Sequence, residues 1–111
     1  MIHIVTIPEF DKSLKRLSSK YHSLKEEYLG FIEETENNDI QGRSLGNGFY
    51  KARLSVKSKG KGKSGGLRII SHREIIYEQN DTEITLVSIY DKSEISSIDK
   101  KYLQSLVKKH K

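Results

Sequence analysis

Lys51 and Arg53, in the run YKARLSVK, stand two residues apart in a segment where polar and apolar side chains alternate. A strand over residues 50–57 would bury Tyr50, Ala52, Leu54 and Val56 and project Lys51, Arg53, Ser55 and Lys57 from the opposite face. Two strand rises set the two cations about 7 Å apart, a spacing suited to neighbouring phosphates of a nucleic-acid strand. If the segment that begins at Leu67 pairs with this one, Arg68 joins the same surface. Between them, KSKGKGKSGGLR places Lys57, Lys59, Lys61 and Lys63 at every second position among glycine and serine. Lysines make point-charge contacts and glycines let a loop follow an irregular backbone, but neither selects a base. These four lysines and Arg73 therefore form a candidate clamp on backbone phosphates.

The charge distribution points the same way. The chain has 111 residues and a formal net charge of +5. Residues 40–73 hold nine Lys/Arg and no Asp or Glu, which leaves eleven basic residues against fifteen acidic ones elsewhere. A cationic block on a mildly acidic body is the footprint of a polyanion-binding protein, whereas an even scatter would read as solubility. The length suits a single domain over residues 1–111. Cysteine is absent, which removes disulfides and thiolate metal sites and suits a reducing interior. The start MIHIVTIPEF lacks the pattern of a signal peptide, and no apolar run reaches membrane-spanning length, so a cytoplasmic location is expected.

Two nucleotide-binding patterns in the loop fail on context. Gly60, Gly62 and Gly65 satisfy GxGxxG, but that fingerprint must open a helix, and here a β-branched strand follows. Gly62-Lys63-Ser64 resembles the end of a triphosphate loop, yet Lys57 stands where its first glycine belongs. His3, His22, His72 and His110 are widely separated and show no ligand spacing, so no metal site is expected. The acidic pairs Glu26-Glu27 and Glu33-Glu34 read as solvated helix faces.

The elements that must position the cations follow from periodicity. Residues 2–7 read as a short strand ended by Pro8. Phe10, Leu14, Leu17, Tyr21, Leu24, Tyr28, Phe31 and Ile32 recur at helical steps, predicting one long helix or two that end near Asn37. QGRSLGNGFY reads as glycine turns. Strands are predicted over 50–57, from Leu67 toward Glu78, and over 84–90, with a turn at QNDTE. A closing helix follows from a capping Ser97. The expected architecture is α+β: an N-terminal strand, one or two helices, a three-stranded antiparallel sheet and a C-terminal helix, with helices on one sheet face and the other face partly open.

YKARLSVKSKGKGKSGGLRII followed by LVSIYDKSE resembles the RelE/HigB family of type II toxins, in particular its HigB-like branch with a KGKGKxGGxR loop, and the likeness extends over nearly the whole chain. The resemblance implies a RelE-like fold and an endoribonuclease that cuts mRNA in the ribosomal A site. It also implies that no metal or other cofactor is needed and that a cognate antitoxin, of helix-turn-helix type in the HigB-like branch, holds the enzyme inactive. It carries a basic pair onto Lys51 and Arg53, an arginine onto Arg68 and a basic residue onto Lys92. Where the RelE branch has a tyrosine on the final helix this chain has Ile98, so Tyr90 or Tyr102 substitutes, and IYDKSE favours Tyr90. The chemistry expected is attack of the RNA 2′-hydroxyl on the adjacent phosphorus, with Lys51 as base, Arg53 and Arg68 stabilising the transition state, and Tyr90 or Lys92 protonating the leaving oxygen. The competing expectations are a non-cleaving nucleic-acid-binding module, a ParE-like toxin directed at gyrase, and a degenerate toxin that retains only antitoxin binding.

Overall fold

The computed structural model describes residues 1–59 and 66–110. Among them the chain forms β1 (Ile2–Thr6), α1 (Pro8–Lys20), α2 (Leu24–Asn38), β2 (Arg43–Gly46), β3 (Phe49–Leu54), β4 (Leu67–Ile76), β5 (Asp81–Asp91) and α3 (Lys100–His110). Single 3-10 turns occupy Lys57–Lys59 and Tyr77–Gln79. Pro8 fixes the first turn of α1, where no amide hydrogen is needed, and Glu9 and Asp11 favour the positive end of the helix dipole. The expected helical region is two helices, broken at Tyr21.

The architecture is α+β, with a sheet wider than expected. Five strands run in the order β1-β5-β4-β3-β2, with β1 parallel to β5 and every other pair antiparallel. The first strand thus extends the predicted three-stranded meander at one edge, and β2 extends it at the other. β2 lies where the sequence reads as glycine turns. It forms because Asn47 and Gly48 have φ of 56° and 82°, the left-handed pair that a two-residue hairpin requires, and close β2 onto β3. β3 ends at Leu54 rather than Lys57, since the chain turns into the 3-10 segment.

Both sheet faces carry helices, a second departure from the expectation. Phe10 and Leu17 of α1 and Leu24 and Phe31 of α2 are buried in the core with Ala52, Leu67, Ile69 and Ile89. On the other face α3 places Leu103 beside Ile70 and Tyr90. Its N-terminus is capped by Asp99, whose carboxylate accepts the Lys101 amide at 3.1 Å, in place of Ser97. Lys100 Nζ ties α3 to β2 through the Leu45 carbonyl at 2.7 Å.

One polar cluster anchors the base of the basic loop. Asp91, the last residue of β5, is fully buried. Its carboxylate accepts the Tyr21 hydroxyl, the Ser93 amide and hydroxyl at 2.9 and 2.7 Å, and an ion pair from Lys59 Nζ at 3.0 Å. Burial acts to raise the Asp91 pKa, but these donors outweigh it and hold the carboxyl well below the ordinary carboxylate range. Beside it the Ser23 and Ser58 hydroxyls meet at 2.8 Å, and Glu27 accepts the Lys57 amide at 2.7 Å. Removing the carboxylate leaves Lys59 buried without a counter-charge. Asp91→Ala is expected to cost about 3 kcal/mol or more in urea unfolding at neutral pH, and Lys59→Met with Asp91→Leu together much less. Because the folded pKa is depressed, the stabilisation from Asp91 is complete above the ordinary aspartate value and is lost as pH falls below it.

Candidate RNA-facing active site

Side-chain alternation and strand register decide where the cations point. Directly opposed residues of antiparallel strands share a face. Arg53 stands opposite Arg68, Arg68 opposite Tyr90, and Lys51 opposite Ile70. Lys51, Arg53, Arg68 and Tyr90 therefore occupy one face of β3, β4 and β5. Asp91, one residue on from Tyr90, turns to the other face and meets Tyr21 at the end of α1.

The four residues differ in exposure. Arg53 is exposed and Lys51 half-buried, and among the described residues neither makes a side-chain hydrogen bond or ion pair. Arg68 is only 3% exposed, and its Nη1 donates to the Leu67 carbonyl at 3.2 Å. It supplies a fixed positive charge from beneath the surface rather than an open side chain. Tyr90 is also buried, and burial raises its pKa while Arg68 pulls the other way. The phenol is consequently kept in its protonated, donating form at neutral pH.

Lys51 has the most informative electrostatics. Its pKa lies below the ordinary lysine value, first through desolvation and then through the nearby charges of Arg43, Arg68, Arg53 and Lys92. Those cations reach Lys51 from β2, β4, β3 and the turn after β5. The depression makes a neutral amine more accessible, which is what a proton acceptor needs. Beneath the start of α3, a cavity of about 220 Å3 is lined by Lys51, Ile70, Tyr90 and Ile98, among others. Ile98 adds an apolar wall there, and Tyr102 is half exposed on α3.

The three described clamp residues, Lys57, Lys59 and Arg73, are dispersed. Lys57 is exposed at the loop base, whereas Lys59 turns inward to Asp91, so its expected phosphate contact is replaced by a structural ion pair. Arg73 also departs from expectation. By alternation along β4 it lies on the face opposite Arg68, and its guanidinium binds Asp39 through two hydrogen bonds of 3.0 and 2.7 Å. Lys61 and Lys63 lie outside the described residues. His72 packs its ring edge-on against Phe49 at 4.8 Å. Sequence reading missed Arg43, which stands directly opposite Lys51. The Asn47-Gly48 dipeptide, as a hairpin signal, could have found it.

The sequence matches, over residues 10–111, the family described as the RelE toxin of the RelE/RelB toxin–antitoxin system. The chain belongs to the RelE toxin family. Comparison with curated proteins returns no match. As a RelE-family member the protein is a toxin of a toxin–antitoxin system, and membership implies an antitoxin partner. No described helix of this RelE-family toxin is long and apolar enough to cross a membrane.

The repulsion around Lys51 carries a stability cost. Its folded pKa is below the unfolded one, so stability rises with pH between the two values as the charged amine is lost. Lys51→Met is expected to raise Tm by a few degrees at pH 7 in a thermal scan and to flatten that pH dependence.

Proposed function

We propose that this toxin is a ribosome-dependent mRNA endoribonuclease of the HigB-like branch that acts on message in the A site. The supporting observation is the convergence of Lys51, Arg53, Arg68 and Tyr90 on one sheet face, with Lys51 depressed by surrounding cations. Lys51, as the free amine, removes the proton from a 2′-hydroxyl. The 2′-oxygen attacks the adjacent phosphorus in line, the bond to the 5′-oxygen breaks, and a proton from Tyr90 or Lys92 neutralises the leaving oxygen. The products are a 2′,3′-cyclic phosphate and a 5′-hydroxyl. Arg53 from the surface and Arg68 from beneath offset the extra charge on the pentavalent phosphorus. Lys57, Lys61 and Lys63 add sequence-independent attraction to the RNA, and the antitoxin is of helix-turn-helix type.

The reading is tested by expressing the chain alone and with its antitoxin while mapping message 5′ ends, then by single-turnover cleavage of ribosome-bound message. Lys51→Ala, Arg68→Ala and Tyr90→Phe are each expected to slow cleavage at least about tenfold. The wild-type rate should rise with pH toward the depressed Lys51 pKa. Undiminished cleavage in all three variants would overturn the assignment. Growth arrest with intact message and inhibited gyrase would favour a ParE-like toxin, and salt-sensitive RNA binding without cleavage or arrest a binding module.

A further inference from the structure

Next to Lys51, at the sheet edge, lies a groove of about 390 Å3 lined by Gln41, Gly42, Arg43, Lys51, Ala52 and Arg53. It contains three cations and no carboxylate. Arg43 is exposed, stands opposite Lys51 in the β2–β3 ladder, and makes no ion pair or side-chain hydrogen bond among the described residues. Like charges directly opposed on a sheet are destabilising, so this pair has a cost that a bound anion would relieve.

The backbone around Arg43 is tightly fixed. Gly42 has φ +99°, and a Cβ there would fall 2.3 Å from the Lys51 carbonyl oxygen. Only glycine lets the chain pass this close to β3. The Gln41 amide is held on α2, donating to the Phe31 carbonyl at 3.1 Å and the Thr35 hydroxyl at 2.6 Å. With both neighbours locked, Arg43 enters β2 at one register and faces the same side as Lys51 and Arg53. In contrast, Arg16, Lys59 and Arg73 are each neutralised by a carboxylate.

We propose that this groove is a second phosphate subsite, in which Arg43 binds an RNA backbone phosphate next to the one held over Lys51, Arg53 and Arg68. The inference rests on reading the cluster as RNA-facing and extends its track from β4 across β3 to the β2 edge. Two inter-strand spacings cover about 10 Å, enough to separate adjacent phosphodiesters. Arginine suits the task because its planar fork takes two phosphate oxygens at once.

The test is fluorescence anisotropy of the full chain with a labelled 2′-O-methyl RNA, which cannot undergo 2′-oxygen attack, as a single strand and as a duplex with the same number of phosphates, across a KCl series. Arg43→Gln is expected to weaken binding about tenfold at low salt and to reduce the slope of log K against log[KCl] by about 0.7 on a single strand. Arg43→Lys should keep most of the slope, and Arg16→Gln should leave both quantities unchanged. Loss confined to the single strand identifies the phosphate as that of a threaded strand; loss confined to the duplex identifies structured RNA; both support the subsite. Wild-type affinity and slope in Arg43→Gln on both RNAs, or no binding by the wild type, overturns it. If binding falls as expected but ribosome-bound message stays intact, the subsite stands and the nuclease reading fails; if message is cut while Arg43→Gln binds normally, only the subsite fails.

Discussion

The pairing register of β3 against β4 is the constraint on which the site depends. Opposite Arg68 stands Arg53, and opposite Ile69 stands Ala52. A slip of one residue would turn Lys51 and Arg53 toward the buried side chains of α1 and α2 and expose Ala52 in their place. The apolar core forbids that exchange, because burying two unpaired cations against α1 and α2 costs far more than any repulsion on the face that carries α3. Hydrophobic burial on one side of the sheet thus holds together like charges that would separate if free. A cationic cluster with a depressed lysine is a by-product of the pleat that the core enforces.

Much of this was legible in the sequence. The alternation around Lys51 and Arg53 is strict, and a window of nine basic residues without a carboxylate fixes the sign of one surface. Pro8 and the apolar steps after it mark the start of α1 closely. What was hidden is mostly tertiary. Lys59 reads like its neighbours Lys57 and Lys61, and only folding brings it to Asp91, which is 32 residues away and reads as an ordinary strand-end acid. Arg73 is likewise neutralised by Asp39 across the chain. β2 is four residues long with a register shift, too short for periodicity to register, so Arg43 was invisible except through the Asn-Gly hairpin signal.

The polar anchor around Asp91 links three parts of the molecule. Tyr21 closes α1, Lys59 opens the lysine-rich loop, and Asp91 ends β5 one residue beyond Tyr90 and one before Lys92. The stem of the loop is therefore fastened to the strand that carries Tyr90, through a group that stays ionised wherever the protein is folded at neutral pH. Ser58 and Ser23 add a second tie to the helical junction. Charge on the loop stem is spent on geometry, and the exposed positive surface is correspondingly smaller than a count of lysines implies.

The parallel pairing of β1 with β5 joins residues 2–6 to residues 82–86. During synthesis β1 has no partner until β5 has emerged, and such long-range closure is slow compared with local hairpins. β3 and β4 can meet earlier, but Tyr90 and Lys92 arrive with the same late strand that recruits β1. A nascent chain of this topology carries only a fragmentary cationic face until β5 is made and draws β1 and β4 to its two sides.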